Sequence, residues 1–186
     1  MSEKNLSECK HVVEKENCRV HILMGSKSDM PVVWKAVKIL EKFEVPFSVT
    51  VASAHRTPEL VERTVTGSKA DVFISVAGLS AALPGVVASL TQKPVIGVPV
   101  SGKVNLDSIL SIVQMPPGVP GATVAINGAK NAALLAVQIL ARSDEELNQK
   151  QKEYRKEMKE KVLDTAEKLE KQGYQDYLER SEKFAD

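Results

Sequence analysis

Between residues 19 and 142 the chain alternates short apolar runs with stretches whose apolar positions recur every three or four residues. Arg19-Val-His-Ile-Leu-Met24 is a nearly continuous apolar run stopped by Gly25, the pattern of a strand buried on both faces. From Asp29 the period changes. Val33, Val37, Leu40 and Phe43 fall on one helical stripe. The runs 46–51, 71–77, 94–98 and 122–126 repeat the strand pattern. Helices are predicted between them, one opening at Pro58, then 83–90, 107–113 and 130–140. Pro58 suits a first helical turn because its missing N–H would have no partner there anyway. The last of these helices is apolar nearly all round, which predicts burial. Short apolar strands joined by helices make a parallel sheet covered on both faces. The predicted fold is therefore α/β, a three-layer α/β/α domain with a flavodoxin-like parallel sheet and a long C-terminal helical extension.

The flanks differ from this core. Residues 1–18 are polar without a clean period and read as a loose leader with room for one helical turn. Residues 143–186 are dense in Lys and Glu, lack proline, and carry Gly173 as their one breaker. Leu147, Tyr154, Met158, Val162, Thr165 and Leu169 form a sparse stripe there, which predicts a long amphipathic helix ending at Gly173. A last short helix is expected over 174–184. The extension reads as an arm that contacts a neighbouring subunit.

Composition narrows the function. A chain of 186 residues fits one domain plus a tail. A net charge of +1 and an aromatic content of 4% exclude both a broad electrostatic footprint for nucleic acid and a base-stacking platform. No apolar run reaches the ~20 residues of a membrane span, and the first residues lack a signal-peptide core, so a cytoplasmic protein is expected. Cys9 and Cys18 are too few for a disulfide scaffold and are expected as free thiols. No metal-ligand spacing occurs, so no metal is expected.

Ligands of parallel sheets sit beyond the carboxyl ends of the strands, and the polar motifs of this chain follow its strands. Gly25-Ser-Lys-Ser-Asp29 is a strand-to-helix turn offering backbone N–H groups and two hydroxyls to an anion. Asp29 there either caps the helix or accepts from ribose hydroxyls. Ser53-Ala-His-Arg-Thr-Pro58 places an imidazole, suited to proton transfer near neutrality, beside a guanidinium fork suited to phosphate. A solvated capping turn is the other reading of that motif. Ala77-Gly-Leu-Ser-Ala-Ala-Leu-Pro-Gly85 is rich in small residues that let backbone approach a ligand, or simply a tight core turn. The proline-crowded run after Asp107 suggests a rigid wall or subunit contact, and Asn131–Ala136 a packing helix. His11 falls in the leader, and His21, inside the first strand, reads as structural.

Taken in order, these motifs resemble the PurE family of purine biosynthesis, whose members are carboxyaminoimidazole ribonucleotide mutases and aminoimidazole ribonucleotide carboxylases. The resemblance spans residues 20–142 and includes Pro94-Val-Ile-Gly-Val-Pro99, Ser-Ile-Val-Gln-Met-Pro116 and Asn131-Ala-Ala-Leu-Leu-Ala136. It implies a homo-octamer with no organic cofactor or metal, in which CO2 is a bound intermediate or co-substrate. It also implies His55 as proton shuttle, Ser26, Ser28 and Arg56 as phosphate ligands, and Asp29 on the ribose. Ser53 would join them, and Gly78, Leu79, Ser80 and Ala81 would line the base and the CO2. Mutases usually read Ala-Gly-Gly-Ala-Ala-His-Leu-Pro-Gly in the third motif. Here Ala82 stands in place of that His, and Ser80 with Ala82 resembles the carboxylase branch. Most other motifs resemble the mutases. A mutase is the expectation, with a CO2-dependent carboxylase and a non-catalytic nucleotide-binding module as alternatives.

Overall fold

The computed structural model describes residues 17–175 and divides the chain into two compact units that meet at Ser143 and Asp144. In the first unit β1 (Val20–Met24), β2 (Phe47–Val51), β3 (Val72–Ala77), β4 (Val95–Pro99) and β5 (Ala122–Thr123) form one sheet in the order β2-β1-β3-β4-β5. Every pairing is parallel. The helices are α1 (Met30–Lys42), α2 (Pro58–Gly67), α3 (Leu83–Ser89), α4 (Asn105–Val113) and α5 (Ala129–Leu140). This is the predicted flavodoxin-like order.

The three central strands are buried along their whole length, which explains why they read as unbroken apolar runs. Helices α1 and α5 pack against each other, and Val33, Ala36, Val37 and Leu40 of one and the small residues Ala132, Ala133 and Ala136 of the other are buried. Leu23, Phe73, Val61, Val65, Val87 and Ile112 belong to the opposite core. On the edge strand β2 the alternation is inverted: Ser48 and Thr50 are buried while Val49 and Val51 are exposed. The cause is His21. Its ring is fully buried in β1, with Nε2 2.9 Å from Thr50 Oγ1 and Nδ1 3.0 Å from Ser68 Oγ. The Thr50 and Ser68 hydroxyls therefore turn inward because a buried imidazole needs partners. Its structural reading stands.

Three expectations are corrected. The fifth strand pairs over Ala122–Thr123 only, not to 126. The chain leaves the sheet there to form a turn in which Gly128 N–H donates to Ala125 O and Asn127 takes a positive φ of 56°. Helix α4 begins at Asn105 rather than 107, since Asn105 Oδ1 accepts from Gly102 N–H and closes the preceding loop onto the first turn. Helix α5 is not buried all round: Lys130 and Asn131 are exposed, and Leu134 and Leu135 are half-buried.

The second unit is a helix, α6 (Glu145–Gln172), capped by Asp144, whose Oδ1 accepts from Leu147 N–H at 3.0 Å. Lys150–Glu146 and Lys168–Asp164 pairs line its surface, each one turn apart. Gly173, with φ of 74°, ends the helix as expected. The leader through residue 16, with Cys9 and His11, and the last predicted helix beyond residue 175 lie outside the described residues. No described helix is long and apolar enough to cross a membrane.

Candidate active site

A strand order of 2-1-3-4-5 reverses direction between β1 and β3, so the chain leaves those two strands toward opposite layers and a crevice opens beyond their carboxyl ends. A cleft of about 660 Å³ lies there. All of the predicted site residues line it: Ser26, Ser28 and Asp29 after β1, Ser53, His55 and Arg56 after β2, and Gly78, Leu79, Ser80 and Ala81 after β3.

The turn after β1 is built by reciprocal capping. Ser26 Oγ accepts from Ser28 N–H at 3.4 Å, and Asp29 Oδ2 accepts from Ser26 N–H at 2.9 Å. Ser28 Oγ donates to Ser26 Oγ at 3.0 Å, so the two hydroxyls form one polar cluster at the cleft wall. Asp29 is the buried member. Burial raises its carboxyl above the usual value, against the opposing pull of the Ser26 N–H and the Arg56 charge. The Asp29 side chain does not cap α1; it closes the turn through Ser26 N–H and lines the cleft.

Arg56 ties two loops together. Its Nη2 donates to Gly25 O at 3.1 Å, and its Nε donates to Ser53 Oγ at 3.4 Å. The Ser53 loop is itself closed, with Ser53 N–H donating to Thr57 Oγ1 at 2.9 Å and Thr57 N–H to Ser53 O at 2.9 Å. His55 lies exposed at the rim of this loop, on the same cleft as the Ser26 turn. One wall therefore offers a cation, hydroxyl donors and an imidazole, a set suited to a phosphorylated ligand that must exchange a proton.

The wall after β3 is different in kind. Gly78 passes so close to β4's exit that a Cβ there would sit 3.4 Å from both Cβ and the carbonyl oxygen of Val100. Leu79 follows with a φ of 55°, a left-handed conformation that costs a non-glycine residue about 1 kcal/mol, and its side chain is 75% exposed. Ala81 is buried and Ala82 half-buried. Backbone and small side chains thus make up most of this end.

Sequence reasoning missed a fourth contributor. Val100, Ser101 and Gly102, directly after β4, also line the cleft. The available signal was their position: Pro99 ends a buried strand, and the rule that placed the other motifs applies equally to Val-Ser-Gly102. Among the described residues no cluster of His, Cys, Asp and Glu could hold a metal ion.

A flavodoxin-order sheet with a polar, cation-bearing cleft at its switch point defines an α/β domain with a site suited to a small molecule. Comparison with known proteins narrows the class. Residues 19–161 match the AIR carboxylase family, and the chain belongs to it. The N5-carboxyaminoimidazole ribonucleotide mutase of Methanocaldococcus jannaschii is 61% identical over 149 residues, 80% of this chain and 95% of the relative. The chloroplastic phosphoribosylaminoimidazole carboxylase of Vigna aconitifolia is 49% identical over 164 residues, 86% of this chain but 29% of that longer protein. Among solved structures, Treponema denticola PurE superposes with a TM-score of 0.75 at 33% identity, covering 81% of this chain and 97% of the other. The resemblance read from the motifs is therefore correct at the level of the family.

Proposed function

We propose that this protein interconverts N5-carboxyaminoimidazole ribonucleotide and 4-carboxy-5-aminoimidazole ribonucleotide in purine biosynthesis, as a mutase. The mutase name of the relative that is 61% identical over nearly its whole length supports this above the carboxylase reading. The observation that carries the chemistry is the division of the cleft: His55 and Arg56 with the Ser26–Asp29 turn on one wall, Gly78–Ala81 on the other.

Ser26, Ser28 and Arg56 hold the phosphate, Asp29 the ribose, and Ser53 positions Arg56. The imidazolium of His55 gives its proton to the exocyclic nitrogen as the N–C bond breaks. The bonding pair stays on that nitrogen, and neutral CO2 is released. The adjacent ring carbon then attacks CO2, pushed by the amine. His55, now neutral, removes the proton from that carbon and restores the aromatic ring. Atoms balance without a co-substrate, and the shuttle returns to its starting state. CO2 must stay beside the ring between the two steps, and the backbone and small side chains of the Gly78–Ala81 wall suit that confinement. No organic cofactor or metal enters this scheme.

The reading includes a cytoplasmic homo-oligomer, an octamer, with α6 as a subunit-contact arm. The exposed stripe Leu106, Leu110 and Val113 on α4 suits burial by a second copy. His55→Asn tests the mechanism: turnover of the carboxyamino substrate is expected to fall about 10²–10⁴-fold, the usual contribution of a general acid–base. Activity within tenfold of the parent removes His55 from the scheme. Supplying the uncarboxylated ribonucleotide with bicarbonate separates mutase from carboxylase. A faster rate with that pair than with the carboxyamino substrate overturns the mutase assignment.

A further inference from the structure

The loop after β4 carries a hydroxyl whose direction can be deduced. Asn127, in the turn after β5, has its own N–H on Pro99 O at 2.8 Å and a φ of 56°, so its side chain is aimed back at the β4 exit. Ser101 N–H donates to Asn127 Oδ1 at 3.0 Å, and Asn127 Nδ2 donates to Ser101 Oγ at 2.9 Å. A backbone N–H can only donate, so the amide oxygen must face it. The amide NH2 is then left for Ser101 Oγ, and it too can only donate. The serine oxygen is therefore an acceptor in this contact, and its own proton points elsewhere. Ser101 lines the cleft, on the wall that contains Gly78 and Leu79. Asn105 fixes the next residue by accepting from Gly102 N–H at 3.0 Å, so the loop is held from both sides.

We infer that Ser101, oriented by Asn127, is a substrate-contacting hydrogen-bond donor to the carboxyl group in transit and to the CO2 formed from it. The inference rests on the mutase reading. Ser26, Ser28 and Ser53 serve the wall that takes the phosphate, whereas Ser101 stands with the backbone-rich wall, where the migrating carboxyl lies. A fixed donor there holds a carboxylate oxygen before the N–C bond breaks and keeps the neutral CO2 oriented toward the ring carbon afterwards. Asn127 is a positioning residue, acting through Ser101.

The test counts products. With the carboxyamino ribonucleotide as substrate, initial rates are measured for the rearranged carboxylated product and for the decarboxylated ribonucleotide that results when CO2 escapes. Ser101→Ala is expected to raise the ratio of escape to product about tenfold, the effect of one lost hydrogen bond of ~1.4 kcal/mol. Ser101→Thr, which keeps the hydroxyl, should restore the parent ratio. Asn127→Asp places a carboxylate oxygen where the NH2 stood. Ser101 then donates to it, the proton is withdrawn from the cleft, and the ratio should rise as in Ser101→Ala. Melting curves of each variant check that the loop remains folded. A parent-like ratio in Ser101→Ala overturns the inference and leaves the mutase reading standing. No turnover of the carboxyamino substrate by the parent overturns the reading, and the inference with it.

Discussion

Arg56 provides the sharpest test of how the cleft is divided. Its guanidinium braces two loops, through Gly25 O at 3.1 Å and Ser53 Oγ at 3.4 Å. In the proposed complex it also meets the phosphate. Arg56→Met keeps the length of the apolar stem and removes the fork. Arg56 is exposed, so the brace alone contributes little to stability, and the melting temperature should change little. A hydrogen bond to a charged group contributes about 1.5–3 kcal/mol, which predicts a loss of about 10- to 150-fold in kcat/KM. The assay compares the ribonucleotide with its dephosphorylated nucleoside. A phosphate ligand loses that factor on the ribonucleotide and little on the nucleoside, with most of the change in KM. Equal losses on both substrates would show that Arg56 is only a loop brace, and the phosphate must then be sought elsewhere.

The buried carboxylate of Asp29 gives a pH-dependent prediction. Its folded-state pKa is raised, chiefly by burial, so between the ordinary Asp value and the folded value the native protein binds more protons than the unfolded chain. Stability therefore increases as pH falls through the folded value, and ionised Asp29 is a net cost at neutral pH. Asp29→Asn, which can still accept from Ser26 N–H, should melt at or above the parent temperature at neutral pH. That advantage should vanish on acidification toward about pH 4, while kcat/KM at neutral pH drops at least about tenfold; a variant that melts lower at neutral pH contradicts the argument. Gly97→Ala tests the packing under the cleft, because a Cβ there would lie 2.4 Å from Ile112 Cγ2 and 3.2 Å from Pro84 Cβ. A loss of about 1–3 kcal/mol in urea unfolding is expected, less than additive with Ile112→Ala, which removes the clashing methyl.

Legibility in the sequence followed burial. Strands β1, β3 and β4 could be read because each is buried on both faces and so is apolar at nearly every position, His21 and Ser75 being the polar exceptions. β5 could not be bounded, because Ala122-Thr-Val-Ala-Ile126 is apolar enough for a strand while its end is set by a distant event, the docking of Asn127 N–H on Pro99 O. Local pattern carries no trace of that. The candidate site was legible wherever chemistry and position coincided: hydroxyls, His55 and Arg56 stand directly after strands. Ser101 escaped because its loop holds neither acid nor imidazole, and its importance derives from Asn127, distant in sequence and visible only once β4 and β5 are adjacent. Asp29 was legible as a polar residue of the turn, but its burial and its bond to Ser26 N–H in place of a cap on α1 were not.

The two described histidines differ in the freedom the fold leaves them, which bears on the proposed proton shuttle. His21 has both ring nitrogens within hydrogen-bond distance of hydroxyls, stacks on Phe73 with ring centroids 6.0 Å apart, and has no exposed surface. A ring so enclosed can neither reach a ligand nor change charge without desolvating that charge between strand and helix, so it serves the sheet. His55 is one strand away and has the opposite circumstances. It follows the carboxyl end of β2 instead of lying within a strand, is exposed, and shares a cleft with the Ser26 turn. In the proposed scheme an imidazole in that position protonates a nitrogen and then deprotonates a neighbouring carbon. Moving the imidazole by one residue within its loop, as in His55→Ala combined with Ala54→His, should therefore abolish rearrangement, since Ala54 is packed against the core and a ring there no longer stands at the cleft rim.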